Sequence, residues 1–123
     1  MCNTVKPEDM HKILLDELEV NTERVQNLQN SLKELQENDP DPLDMAQKME
    51  QRETVLSETN RLNARNIQIR KALNLIREGE YGYCQSCGDD MDPKRLKVDP
   101  ASLECFECKT ISEDKGRRLG QRA

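Results

Sequence analysis

Aromatic residues are nearly absent from this chain. Its 123 residues include no tryptophan, two tyrosines and one phenylalanine (Tyr81, Tyr83 and Phe106), too few to fill the core of an ordinary compact domain. Long apolar runs are missing as well, and none approaches the roughly 20 residues that span a bilayer. The opening MCNTVKPEDM has no apolar segment to serve as a signal peptide, so Cys2 is not expected to carry a lipid and the protein is expected in the cytoplasm. Basic charge falls short of acidic: 19 Lys and Arg against 24 Asp and Glu leave a net charge of -5. That balance argues against a general nucleic-acid binder, because phosphate contacts need a basic surface. Histidine is reduced to His11, which lies among charged residues and reads as solvated. What the chain has in quantity is charge itself, 35% of residues, with a mean hydropathy of -0.95. Such a composition fits long solvated helices, a coiled coil or partial disorder.

The apolar residues that remain are ordered. Pro7 followed by Glu8 and Asp9 marks a helix start, with proline in the first turn and acids at the positive end of the dipole. Beyond it Leu14, Leu18, Asn21, Val25, Leu28, Leu32 and Leu35 alternate in steps of four and three, a heptad seam with one polar member. A second run starts near Leu43 and reaches Glu78. Val55, Leu62, Ile69 and Ile76 recur every seven residues, with Arg52, Thr59, Asn66 and Leu73 between them, so this seam is weaker toward its start. At 1.5 Å per residue both runs make rods of about 45 to 55 Å. The link between them is short, which favours one intramolecular antiparallel hairpin, and a monomer, over an intermolecular coiled coil. Gly79 is placed to end the second helix.

The strongest chemical signal follows. YGYCQSCGDDM and LECFECKT hold two C-x-x-C pairs, Cys84 with Cys87 and Cys105 with Cys108, separated by 17 residues. In a reducing compartment clustered thiols bind metal more often than they pair. Two such pairs bring four thiolates to one tetrahedral Zn2+ at about 2.3 Å per bond, a structural site with no position open for catalysis. The competing redox reading needs a strand–helix–strand alternation that this sequence lacks. Gly88 suits a tight turn after the first pair, whereas Lys109 after the second suits a turn that opens into a helix. Zinc would stand in for the core this segment cannot build. Cys2 lies outside the pattern and reads as a free thiol.

The turn NDPDPLDMA, residues 38–46, is unusually acidic. Helix capping explains part of it: Asp41 as N-cap, Pro42 as the first helical residue, Asp44 as the third-position acid of a capping box. Pro40 stops the incoming helix and Ala46 is a strong helix former. Capping does not require Glu37 or Asp39. A stiff arm tipped with carboxylates suits a deep, cation-containing site on another macromolecule.

DPLDMA at a hairpin tip, with YGYCQSCGDDMDPKRLKVDPASLECFECKT behind it, resembles the DksA/TraR family of bacterial RNA polymerase-binding transcription regulators across about residues 10–120. The resemblance implies a mainly α-helical fold: a long antiparallel coiled coil, a small four-cysteine zinc lobe and a C-terminal helix. It implies binding to RNA polymerase through the secondary channel, without contact to DNA, and a role in the stringent response. It makes Asp41, Asp44 and Ala46 the polymerase-contacting tip and Cys84, Cys87, Cys105 and Cys108 the ligands of one structural Zn2+. Arg61 and Arg95 match basic positions of the family, and solvated surface charge remains an equal reading of both. Some members bind the alarmone ppGpp jointly with polymerase through basic residues. At the matching positions this chain has Gln68 and Asp99, and Lys109 alone stays basic, so weak ppGpp dependence or none is expected. The longer N-terminal leader of larger members is absent from the sequence.

The expected layout is therefore a flexible N-terminus over residues 1–6, a hairpin over 7–79 with its acidic tip at 38–46, and a zinc lobe with a C-terminal helix over 80–123. The expected function is non-catalytic regulation of transcription initiation. The alternatives are a structural coiled-coil zinc adaptor and a zinc-finger DNA-binding protein.

Overall fold

Proline opens three of the helices. In the computed structural model, which describes residues 6–35 and 40–121, α1 runs Pro7–Glu34, α2 Pro42–Glu78, α3 Pro93–Val98 and α4 Phe106–Gln121. Residues 1–5 of the expected flexible N-terminus, Cys2 with them, and Glu37, Asn38 and Asp39 of the turn lie outside the described residues. Proline at the first helical position gives up an N–H that would be unpaired there in any case. Acids follow it in α1 (Glu8, Asp9) and α2 (Asp44), and basic residues close both helices at Lys33 and Arg77, each sign matched to the local end of the dipole. Among the described residues there is no strand, only an isolated antiparallel bridge between Tyr83 and Asp90.

The chain divides into two compact units, Leu15–Ile69 and Met1–Leu14 with Arg70–Ala123. The first is the antiparallel pairing of α1 with α2. Its α1 seam members Leu18, Asn21, Val25, Leu32 and Leu35 are half-buried and Leu28 is buried, while the residues between them are largely exposed. On α2, Leu62, Asn66 and Ile69 are buried, Val55 and Thr59 half-buried, and Arg52 is exposed. The seam thus weakens toward the turn, as its polar members lead one to expect. Thr59 sits in it cheaply because its hydroxyl donates back to the Val55 carbonyl at 2.7 Å.

Two ion pairs tie the helices across that seam. Arg65 grips both carboxylate oxygens of Glu17, at 2.6 and 3.1 Å, and Arg24 donates twice to one oxygen of Glu58, at 3.1 and 2.9 Å. Each is partly solvated and contributes up to about 1 kcal/mol. In both pairs the residue numbers add to the same value, so the register does not slip between them.

Asn66 is the polar exception in the unit's interior. It is 4% exposed and its Oδ1 has no hydrogen-bond partner. A buried acceptor left unpaired costs about 1 to 3 kcal/mol. Asn66→Leu should therefore raise the stability of the arm by about 1 kcal/mol or more, read as an upward shift in thermal or urea midpoint. A fall in midpoint would mean that the amide finds a partner in solution.

In the second unit, Met10, Leu14 and Ala72 are buried along the helix segments, Leu14 and Ala72 completely. The end of α2 is a Schellman turn: Gly79 N–H bonds the Ile76 carbonyl at 3.2 Å and Glu80 N–H the Leu75 carbonyl at 2.8 Å. The motif needs a left-handed residue, which Gly79 supplies at φ +76. The remainder of this unit packs Cys84, Met91 and Leu96 into a small buried cluster, flanked by Tyr81, Cys105 and Cys108.

Candidate functional site

The first C-x-x-C is held in a short hairpin-like knuckle. Met91 N–H reaches the Gly82 carbonyl at 2.8 Å, Cys84 N–H the Asp89 carbonyl at 2.8 Å, and Gly88 N–H the Cys84 carbonyl at 2.9 Å. The last of these turns the chain tightly after Cys87, and Gly88 meets it at φ +80, where a side chain would be strained. The turn aims two N–H groups at sulfur: Ser86 N and Cys87 N lie 3.4 and 3.5 Å from Cys84 Sγ. The second pair is built differently. α4 starts at Phe106, so Cys105 precedes the helix and Cys108 rides in its first turn, with Lys109 N–H bonded to the Cys105 carbonyl at 2.9 Å. Gln85 N–H joins the two knuckles through the Leu103 carbonyl at 2.8 Å.

These turns gather all four sulfurs. Cys84, Cys87, Cys105 and Cys108 present Sγ atoms within 4.8 Å of one another, and Cys87 Sγ and Cys105 Sγ are 3.9 Å apart. Tetrahedral bonds of about 2.3 Å place sulfurs about 3.8 Å apart, so the set fits one zinc ion. Electrostatics agrees with the geometry. Burial pushes the Cys84 thiol up, but N–H groups of Cys105, Cys87 and Ser86 outweigh it and hold the thiol down at about 6. The sulfurs of Cys105 and Cys84 push Cys108 far above the ordinary thiol range, and Cys87 is also raised. Four thiolates this close repel, and a dication is what lets them ionise together. Four sulfur donors also match the closed, structural type of zinc site.

Behind the sulfurs the lobe is braced by α3, an element the sequence reading passed over. Its signal was present in Asp92-Pro93: Asp92 is the N-cap and its Oδ1 accepts the Lys94 N–H at 2.9 Å. The helix inserts Leu96 into the cluster under the sulfurs. Tyr81 packs against the same cluster, its hydroxyl donating to the Pro100 carbonyl at 2.6 Å. Burial and the nearby Asp99 carboxylate push its ionisation up to about 12, so Tyr81 stays a neutral donor.

The other residues singled out in the sequence fall in separate places. Asp41, Asp44 and Ala46 are exposed at the start of α2. Asp41 is the N-cap, with Oδ1 accepting the Leu43 N–H at 3.0 Å and the carbonyl accepting the Met45 N–H at 2.9 Å. Among the described residues no hydrogen bond to the Asp44 carboxylate is seen, and glutamate, one methylene longer, suits that capping position better. Arg61 is exposed on α2 beside Glu53, Thr54, Ser57 and Glu58. Arg95 is half-buried and donates from Nε to the Glu104 carbonyl at 3.0 Å, which gives it a task within the lobe. Lys109 is exposed and, with Lys94, Arg95, Asp99 and Ser102, lines an open depression on the lobe. Asp99 is anchored there: its Oδ1 accepts the Ala101 N–H at 3.1 Å. Gln68 is half-buried on α2, and His11 is exposed.

No protein-family model matches the chain. It is similar to the RNA polymerase-binding transcription factor DksA of Escherichia coli K12 and of Salmonella typhimurium LT2, 32% identical over 82 residues in each case, which is 67% of this chain and 54% of the relative. The DksA of Buchnera aphidicola from Acyrthosiphon pisum is 34% identical over 84 residues. The chain thus matches about half the length of these curated relatives. Its fold is similar to that of transcription factor DksA2 from Pseudomonas aeruginosa, with a TM-score of 0.76, 26% identity, and coverage of 90% of this chain and 85% of the other. No helix among the described residues is long and apolar enough to cross a membrane. With its helical hairpin, its zinc-type cluster of four cysteines and these likenesses in sequence and fold, the chain is a DksA-like protein.

Proposed function

We propose that this protein is a cytoplasmic, monomeric, non-catalytic regulator that binds bacterial RNA polymerase through the secondary channel and alters the stability of promoter complexes without contacting DNA. The similarity to polymerase-binding DksA proteins carries the reading. Asp44 supports it at the residue level, since its carboxylate is exposed at the start of α2 and available to a partner. In this reading Asp41, Asp44 and Ala46 form the contacting tip, Arg61 and Arg95 add contacts along the arm and lobe, and zinc keeps the lobe in shape. The tip must favour one polymerase state over another, because equal affinity for all states regulates nothing. Capture by purified RNA polymerase, together with multiple-round transcription from a responsive promoter, tests the proposal. A chain that neither binds polymerase nor changes transcript yield would overturn it, and loss of binding on nuclease treatment would point to the DNA-binding alternative.

The alarmone is expected to matter little. Joint binding of ppGpp would ask Gln68, Asp99 and Lys109 to meet a polyphosphate, and only the last is cationic. The Asp99 carboxylate is moreover fixed by the Ala101 N–H rather than free to turn away. Asparagine keeps that acceptor, so the Gln68→Lys, Asp99→Asn double variant should gain ppGpp dependence without disturbing the loop. Removing the repulsion at Asp99 and adding an attraction at Gln68 changes affinity by about tenfold or more. Strong ppGpp synergy already present in the unmodified protein would show that Lys94 and Lys109 suffice.

A further inference from the structure

Glu104 stands immediately before the second C-x-x-C, outside the four-sulfur set, yet its carboxylate and its backbone carbonyl both take hydrogen bonds from other parts of the lobe. One carboxylate oxygen, Oε2, accepts two hydroxyls: Ser86 Oγ at 3.1 Å and Ser112 Oγ at 2.9 Å. Its backbone carbonyl takes the guanidinium Nε of Arg95 at 3.0 Å. Ser86 lies inside the first C-x-x-C, where its own N–H also points at Cys84 Sγ. Ser112 lies one turn beyond Cys108 on α4, and Arg95 lies on α3. A single residue therefore ties together the first knuckle, the second knuckle, α3 and α4. Without it, Gln85 N–H to the Leu103 carbonyl is the backbone bond that joins the two knuckles in the described structure.

We infer that Glu104 is the positioning residue of the metal centre: by accepting from Ser86 and Ser112 it holds the two C-x-x-C halves at tetrahedral spacing, and so sets how slowly zinc is lost. If a bound zinc were lost one thiolate at a time, a detached thiolate would rebind more readily the less the two knuckles had moved apart. Cys87 is the exposed ligand and the natural place for that first step, and Ser86 is its chain neighbour. A carboxylate anchored to Ser86 limits how far Cys87 can swing. The anchor at Ser112 does the same for the first turn of α4, which carries Cys108. Groups that orient metal ligands from outside typically change metal affinity ten- to a hundredfold when removed.

The experiment is zinc release from the purified full chain into excess chromogenic chelator, followed by stopped flow or spectrophotometry. Zinc stoichiometry is measured beforehand, so a failure of the zinc assignment is seen separately from a failure of the clasp. Glu104→Ala should release zinc about tenfold faster than the unmodified protein, or more. Glu104→Gln should restore most of the slow rate, because its carbonyl oxygen can accept the same two hydroxyls. Ser112→Ala keeps the lobe's own fold nearly untouched and should give a several-fold increase, one that vanishes when it is introduced into the Glu104→Ala background. If Glu104→Ala fails to load zinc, Ser112→Ala is combined with Ser86→Ala instead, and the two effects should be less than additive, because losing either hydroxyl opens the same Glu104 bridge. Release at the unmodified rate from Glu104→Ala, no rescue by glutamine, or independent additive effects of the two sites would each overturn the inference.

Discussion

Removing zinc should erase the near-ultraviolet signature of the tyrosines while leaving most of the helical signal in place. Tyr81, Tyr83 and Phe106 are the chain's aromatics, and all three sit in the stretch built around the four cysteines, so this signal reports on the lobe alone. The lobe's own apolar core is Cys84, Met91 and Leu96 with Tyr81 packed against it, which amounts to roughly 5 to 8 kcal/mol of burial at best. A core that small cannot by itself offset the conformational entropy lost on ordering the segment. Structural zinc contributes on the order of 10 kcal/mol or more, a larger contribution than the apolar cluster makes. Chelation therefore unfolds the lobe, frees four thiols to a thiol reagent and leaves α1 and α2 paired by Leu28, Leu62 and Ile69. A metal-free preparation with native near-ultraviolet dichroism would contradict the account.

The second large effect is expected at the tip, and it separates activity from stability. Asp44→Asn removes a charge whose side chain makes no hydrogen bond among the described residues. The thermodynamic cost is limited to the helix-dipole contribution of one exposed acid, within about 1 kcal/mol. If the carboxylate works at the polymerase, the variant should still be captured by polymerase yet lose its effect on transcription. Asp41→Asn makes an informative companion, because asparagine caps as well as aspartate and only the charge is lost. An activity loss that merely tracked a fall in midpoint temperature would return both residues to the role of caps.

Much of the fold was legible because helices write their contacts into spacing. The seam from Leu14 to Leu35 could be read every third and fourth residue, and every one of those side chains is buried or half-buried. Two paired C-x-x-C motifs are similarly explicit, since each pair fixes its own geometry and only the 17-residue separation is left to the fold. What escaped was of another kind. Met10 and Ala72 are buried but lie beside the seam rather than on it. Glu104 gave no signal, because Ser86 is 18 residues away and Ser112 is 8, and no periodicity links a carboxylate to hydroxyls brought close by a metal-shaped turn.

The two ion pairs of the arm have a consequence for its length. Glu17 and Arg24 are one heptad apart on α1, and Glu58 and Arg65 are one heptad apart on α2. Antiparallel pairing matches Glu17 with Arg65 and Arg24 with Glu58. A slide by a heptad in one direction would set Glu17 against Glu58, and in the other Arg24 against Arg65. Either error exchanges two attractions for a repulsion, about 1 to 2 kcal/mol. Apolar residues recur at heptad spacing along both helices, so the seam alone opposes such slides less directly than the charges do. A heptad slide moves the turn by half a heptad on each helix, about 5 Å along the arm. The paired signs thus work as graduations on a ruler, fixing how far the carboxylates at its end can reach.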